Sequence, residues 1–340
     1  MFSIISINFI QSNDDRCIYI KHYSNNDVLY IGLYVDDMLI VSANQQMVNE
    51  FEEYFMSRFN CKPETTVNQF LGMKIEKNQN MIKLSNSKMV DKIVNKFSEF
   101  KLRSYQTPIE PNIEYLKPID SSTILKDIPY REGVGSILYL SITCRNDIAF
   151  AVNVLSRFLD CPTKETWLLL LRCIGYLKYT RTNGITFGNL NKIHYNIPYV
   201  FCDSDWGGDV NTGRSTTCYI IIFNGGPISW CSRLQQTVSL STTEAEYMAL
   251  VATLCEIKWL QPLLNSLKVI LPGPIHIFED NQGAIDLAHN PSFHRRTKHV
   301  NIKYHVIREA VIIVKVPTAI IYPMMELRRY QDQLSLLRHN

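Results

Sequence analysis

Tyr34-Val35-Asp36-Asp37 interrupts a run that is otherwise apolar, from Val28-Leu29-Tyr30-Ile31-Gly32-Leu33 on one side to Met38-Leu39-Ile40-Val41 on the other. Two short β-rich stretches split by a polar pair predict a hairpin whose turn carries both carboxylates. Anions set beside buried strands are costly unless a cation neutralises them. Paired carboxylates suit Mg²⁺, and two such ions roughly 3.5–4 Å apart suit in-line displacement at phosphorus. A solvated turn carrying two acids is the plain alternative, and the bare pair does not separate the two readings.

The rest of the chain sets the frame. Its 340 residues leave room for two or three compact domains, and 46% hydrophobic with 20% charged residues is ordinary for a globular protein. A net charge of +3 is too small to argue for a nucleic-acid partner, but the charge is unevenly spread. Arg295, Arg296, Lys298, Lys303 and Arg308 crowd one stretch with no acid until Glu309, a local electrostatic footprint. Nine cysteines without a CxxC pair fit reduced thiols. The first residues, Met1-Phe2-Ser3-Ile4-Ile5-Ser6-Ile7, lack the basic start and cleavage site of a signal peptide. No apolar run approaches the roughly 20 residues of a membrane helix. A soluble protein of the cytoplasm or nucleus, with no membrane partner, is expected.

Periodicity predicts a helix over 44–59, a hairpin within 68–84 and a helix from Ser87 to about Phe100. Four prolines between Thr107 and Pro129 read as a linker, and 130–178 reads as helix broken at Cys161-Pro162. From Tyr199 a separate αβ unit begins. Its first strand ends in Asp203-Ser204-Asp205-Trp206, a hairpin spans 218–230, and Ser241-Thr242-Thr243-Glu244 opens a helix to about Leu267. A further strand, Ile275-His276-Ile277-Phe278, ends in Glu279-Asp280-Asn281.

Each acid here has a plain reading beside a chemical one. Asp203 or Asp205 closes a strand, Asp280 starts an Asx turn, and Glu244 completes a capping box with Ser241. Taking Met248, Ala252, Cys255, Trp259 and Leu263 as the buried stripe, Glu244 lies nearer the sheet than Glu246. Asp203, Glu244 and Asp280 taken together then predict a carboxylate cluster for metal-assisted hydrolysis. His289, His294, His299 and His305 make a poor zinc site, because no thiolate accompanies them and cations surround them. Trp206 and Trp230 are expected to pack in the core rather than to stack on bases.

Gly32-Leu33-Tyr34-Val35-Asp36-Asp37-Met38-Leu39-Ile40-Val41, Tyr130-Arg131-Glu132-Gly133-Val134-Gly135-Ser136-Ile137-Leu138-Tyr139-Leu140 and Arg145-Asn146-Asp147-Ile148-Ala149-Phe150 are long, specific phrases. On them the chain resembles the copia-type retrotransposon Pol polyproteins, from about Phe9 to Pro317. The resemblance implies an α/β (α+β) protein: a palm remnant over 1–44, a thumb-like region over 45–110, and a linker with helical connection over 111–195. A ribonuclease H-like domain, a mixed sheet flanked by helices, would follow over 196–316, and a divergent tail over 317–340. The inherited activities would be RNA-directed DNA synthesis and hydrolysis of RNA in RNA–DNA hybrids, with Mg²⁺ as cofactor and Mn²⁺ as a substitute.

By the same resemblance, Asp203 would bridge two metals, with Glu244 and Asp280 on one side. The fourth family carboxylate falls at Asn301, in Phe293-His294-Arg295-Arg296-Thr297-Lys298-His299-Val300-Asn301. His294, Arg295, Arg296, Lys298, His299 and Lys303 would face phosphates of a hybrid or of single-stranded nucleic acid. Asp36 and Asp37 would be the reverse transcriptase's metal ligands. The family's first palm aspartate and fingers precede that hairpin, so the chain is expected to be a truncated Pol remnant whose polymerase needs other Pol fragments. The rival expectation is a non-catalytic nucleic-acid-binding remnant or a host-retained protein.

Overall fold

The computed structural model describes residues 4–60, 67–110, 123–188, 197–289 and 319–323. The chain divides into two compact units, residues 1–75 with 257–271, and residues 76–256 with 272–340.

The first unit is built on an antiparallel meander of β1 (Ile10–Gln11), β2 (Ile18–His22), β3 (Val28–Tyr34) and β4 (Asp37–Ser42), in that spatial order. Alternation in β3 turns Leu29 and Ile31 to one side, where both are fully buried with Phe9 and Phe51. Tyr34 pairs with Asp37, leaving Val35-Asp36 as a two-residue turn. Helix α1 (Gln45–Met56) starts where Asn44 Oδ1 accepts the Gln46 N–H at 3.1 Å. Its Met47 and Phe51 are buried one turn apart, and Phe51, Phe55 and Phe59 continue as a stacked row. β5 (Gln69–Phe70) folds back on the start of β6 (Met73–Asn78), pairing Phe70 with Met73. Residues 257–271 are tied into this unit by two bonds to carbonyls, Tyr30 Oη to Leu267 O at 2.7 Å and Trp259 Nε1 to Asp14 O at 3.2 Å.

The second unit opens with β7 (Met81–Ser85) and α2 (Ser87–Lys96), capped by Asn86 Oδ1. Three helices follow: α3 (Tyr130–Thr143), α4 (Ala149–Ser156) and α5 (Lys164–Tyr179). Phe97, Ile137, Leu140, Leu155, Leu170 and Ile174 form their common core. The sequence predicts one break between 130 and 178, and the structure has two. Thr163 caps α5 just after Cys161-Pro162, as expected. The unforeseen break at 144–148 is electrostatic. Arg145, 1% exposed, leaves the helix to meet Asp147 at 2.8 Å, while Tyr176 Oη donates to the same carboxylate at 2.6 Å. A buried cation needs that company.

β8 (Gly184–Phe187) pairs with β7, and then the second sheet begins. It comprises β9 (Tyr199–Ser204), β10 (Thr216–Phe223), β11 (Gly226–Leu234), the long helix α6 (Thr242–Ser266), β12 (Ile275–Glu279), α7 (Gln282–His289) and β13 (Ala319–Pro323). The strand order is β11-β10-β9-β12-β13. The first three are antiparallel neighbours, whereas β12 runs parallel to β9 and β13 parallel to β12. This is the mixed sheet flanked by helices that the sequence predicts. Every residue of β9 is buried, as befits a central strand covered on both faces. Tyr199, Phe201, Cys218, Ile220, Ile222 and Phe278 pack on one face.

Within residues 317–340, which read as a divergent tail, Ala319–Pro323 forms the fifth strand, with Ile321 opposite Ile277 and 5% exposed. The sequence Ile320-Ile321-Tyr322 is of β-forming type, and the strand extends the sheet beyond β12. Among the described residues, no helix is long and apolar enough to cross a membrane.

Candidate metal centre

The first acidic pair lies at the β3–β4 turn. Asp36 is the second turn residue and Asp37 opens β4, and both are exposed. The tight turn forces φ = +52° on Val35, a β-branched residue in the left-handed region. L side chains adopt that region only at a cost. Val35 is also 81% exposed, so its side chain gains little from packing. Asp36 and Asp37 border an open cavity of about 810 Å³ whose other walls include Glu52, Phe55 and Phe70.

The second acidic group is built differently. β9 and β12 run parallel, with His276 level with Tyr199 and Phe278 level with Phe201. Carried two residues further, that register sets Asp280 level with Asp203. Helix α6 brings Glu246 to the same place. One carboxylate oxygen from each of Asp203, Glu246 and Asp280 lies within 4.8 Å of the others. Asp203 is 2% exposed and Glu246 5% exposed, whereas Asp280 is open to solvent.

Glu246 takes the place expected of Glu244. Glu244 sits at the helix start, where its N–H donates to Ser241 Oγ at 3.1 Å and its Oε2 accepts the Leu240 N–H at 2.8 Å. It caps the helix, the plain reading of its position. Of the residues expected to form the buried stripe, Cys255 is exposed and Trp259 is 45% exposed. The buried row is Leu250, Leu254, Ile257, Leu260 and Leu264, and Glu246 stands one turn ahead of Leu250.

Sequence reasoning also missed Glu279, which is fully buried. Its Oε2 accepts the Cys202 S–H at 3.2 Å and its Oε1 accepts the Asn281 N–H at 3.1 Å. Burial pushes its carboxyl up to about 8; the bonds from Cys202 and Asn281 oppose that rise, and the neighbouring Asp280 and Asp203 add to it. Burial and the charge of Glu279 also push the Cys202 thiol well above the ordinary range. Nothing in the motif spacing flags Glu279, because a lone acid closing a strand is common.

The loop after Asp203 is fastened separately. Arg157, directly after α4, donates to Asp209 Oδ1 and to Thr216 Oγ1, each at 3.2 Å. Burial raises the Asp209 carboxyl, but the Thr212 hydroxyl and the Arg157 guanidinium outweigh it and leave its pKa below the ordinary value. Burial raises the Asp205 pKa despite bonds from Thr216 and Gly208. Trp230 is half-buried and donates Nε1 to Ser141 O at 2.7 Å. Trp206, expected in the core, is 58% exposed and donates Nε1 to Ser239 O at 3.1 Å. Asn301 and the basic set His294, Arg295, Arg296, Lys298, His299 and Lys303 lie outside the described residues.

The donors of the trio are all carboxylate oxygens, two of them in a low-dielectric setting. That fits a hard divalent cation such as Mg²⁺ or Mn²⁺, held by Asp203, Glu246 and Asp280.

Comparison with known proteins agrees with the phrases in the sequence. Residues 3–111 match the family described as reverse transcriptase (RNA-dependent DNA polymerase). Over 89% of its length the chain is 35% identical to the Retrovirus-related Pol polyprotein from transposon TNT 1-94 of Nicotiana tabacum. Over 91% it is 34% identical to the one from transposon RE1 of Arabidopsis thaliana. It spans 23% and 21% of the lengths of those two proteins. Among solved structures it is similar to the foamy viral protease-reverse transcriptase in complex with dsDNA, with a TM-score of 0.43 and 15% identity, over 86% of this chain and 54% of that one. The chain therefore belongs to the family of copia-type retrotransposon Pol polyproteins.

Proposed function

We propose that the second unit hydrolyses RNA in RNA–DNA hybrids at Asp203, Glu246 and Asp280, using Mg²⁺ or, in its place, Mn²⁺. The observation that carries this reading is the convergence of those three carboxylates at two parallel strand ends and one helix start. A divalent cation held there would polarise the scissile phosphodiester and offset charge in the transition state. Asp203 and Glu246 are the fixed, buried side of the site, and exposed Asp280 is the side that meets substrate. Asn301 stands at the fourth position of the family's motif. Its amide oxygen can ligate but brings no charge, so a second cation there binds weakly. The basic run from His294 to Lys303 would grip phosphates, making affinity for hybrid fall as salt rises. Asp36 and Asp37 would serve RNA-directed DNA synthesis, an activity proposed for the longer Pol protein.

Release of labelled RNA fragments from a hybrid tests the assignment. Asp203→Asn and Glu246→Gln should lower the rate by more than about 100-fold, since even outer partners of metal ligands cost roughly 10–100-fold. Glu244→Gln should stay within about threefold, because it disturbs only a helix cap. Equal losses for Glu244→Gln and Glu246→Gln would overturn the choice of Glu246. The uncharged Asn301 favours one rival, a non-catalytic binding protein. Hybrid binding without cleavage at any Mg²⁺ or Mn²⁺ concentration would establish that rival.

A further inference from the structure

The three acids sit on three separate elements, so something must hold those elements in mutual register. Cys202 on β9 donates its S–H to Glu279 Oε2 on β12 at 3.2 Å. Glu279 Oε1 accepts the backbone N–H of Asn281 at 3.1 Å. Asn281 Oδ1 accepts the Ala284 N–H at 3.0 Å, capping α7, and also receives the Thr243 hydroxyl of α6 at 3.4 Å. The chain of bonds thus runs β9, β12, α7, α6. Each acid is adjacent to a member of it: Asp203 follows Cys202, Asp280 lies between Glu279 and Asn281, and Glu246 comes one turn after Thr243.

Packing closes the last link. A Cβ built on Gly283 would lie 2.9 Å from Thr243 Oγ1 and 3.1 Å from Asn281 Oδ1. The starts of α6 and α7 therefore approach closely because residue 283 has no side chain.

We propose that Asn281, bonded to Glu279 on one side and Thr243 on the other, is a positioning residue that sets the spacing of Asp203, Glu246 and Asp280 for a divalent cation. This deepens the reading of the site given above and rests on it. Its side-chain oxygen is engaged by Ala284 and Thr243, so Asn281 acts through its neighbours rather than as a ligand. Outer partners of this kind typically change metal affinity by 10–100-fold when removed. Of its bonds, the one to Thr243 is the longest and loses least when cut.

The test is Mn²⁺ affinity by titration calorimetry on the full chain, beside hybrid cleavage and thermal unfolding without metal. Asn281→Ala should weaken Mn²⁺ binding about 10-fold or more. Thr243→Val, nearly isosteric and lacking only the hydroxyl, should weaken it about threefold with its metal-free melting temperature held within a degree or two. In both variants cleavage at saturating Mn²⁺ should recover toward the parent rate, as a spacing defect requires. If the parent binds Mn²⁺ and both variants bind it equally well, the positioning role is wrong, whatever happens to cleavage. If the parent binds Mn²⁺ without cleaving hybrid, the hydrolytic reading fails while the affinity differences still decide the role of Asn281. A parent that binds no Mn²⁺ overturns both.

Discussion

The two acidic sites of this chain differ in how they handle the same charge. Asp36 and Asp37 sit side by side on a hairpin turn, exposed, where water screens them and no cation is needed for folding. Asp203 and Glu246 are buried beside Asp280, where like charges in low dielectric repel strongly. Adjacency in sequence therefore says little about demand for metal. Burial and convergence from separate elements say more.

Protection by metal is the strongest way to break that contrast. Mn²⁺ at about 100 times its dissociation constant should stabilise the parent by roughly 2.7 kcal/mol. That protection should vanish in Glu246→Gln and persist in the double variant Asp36→Asn, Asp37→Asn. Thermal unfolding with and without Mn²⁺ reads it directly, and equal protection in all variants would place the metal elsewhere.

A smaller effect should appear with no metal at all. Asp203→Asn removes one buried negative charge from the trio and should raise metal-free stability by about 1–3 kcal/mol. Asp36→Asn, at an exposed turn, should change it by no more than about 0.5 kcal/mol. Denaturant midpoints for the two variants compare them; a destabilised Asp203→Asn would mean that the trio is already neutralised within the protein.

The smallest effect concerns the turn itself. Val35→Gly accepts φ = +52° without the Cβ clash and should stabilise the first unit by about 0.5–1 kcal/mol, after the entropy that glycine adds to the unfolded chain. Urea unfolding followed by a probe in the first unit, such as Trp259, would detect it. No gain would show that the positive φ is accommodated without strain.

Much of this was legible in the sequence, for physical reasons that can be named. The β3–β4 hairpin follows from two apolar runs around a polar pair, and Asp203 and Asp280 from acids that end apolar strands. Glu246 does not stand out in the sequence because α6 buries residues around much of its circumference, Ala245, Tyr247, Ala249, Val251 and Thr253 as well as the Leu250 row. A helix buried around so much of its circumference offers no single stripe to read, and the expected row includes exposed Cys255 and Trp259. The strand at Ala319–Pro323 depends on a partner far along the chain, and the break at Arg145 combines its near neighbour Asp147 with distant Tyr176 and Thr180. Local pattern carries no record of Thr180 meeting Arg145, or of Ile277 lying opposite Ile321.

The parallel pairing of β9 with β12 also fixes an order of events. A parallel neighbour cannot be reached by a tight turn, so Asp203 waits for Asp280 across a whole crossover that includes α6. At the usual pace of translation, about 5–20 residues per second, roughly 4–15 s separate the emergence of the two aspartates. During that interval the nascent chain holds Asp203 without Asp280 and has no third carboxylate to close the cluster. The carboxylate cluster thus assembles only after β12 has been made, and a ribosome-bound chain stalled before β12 is born without it.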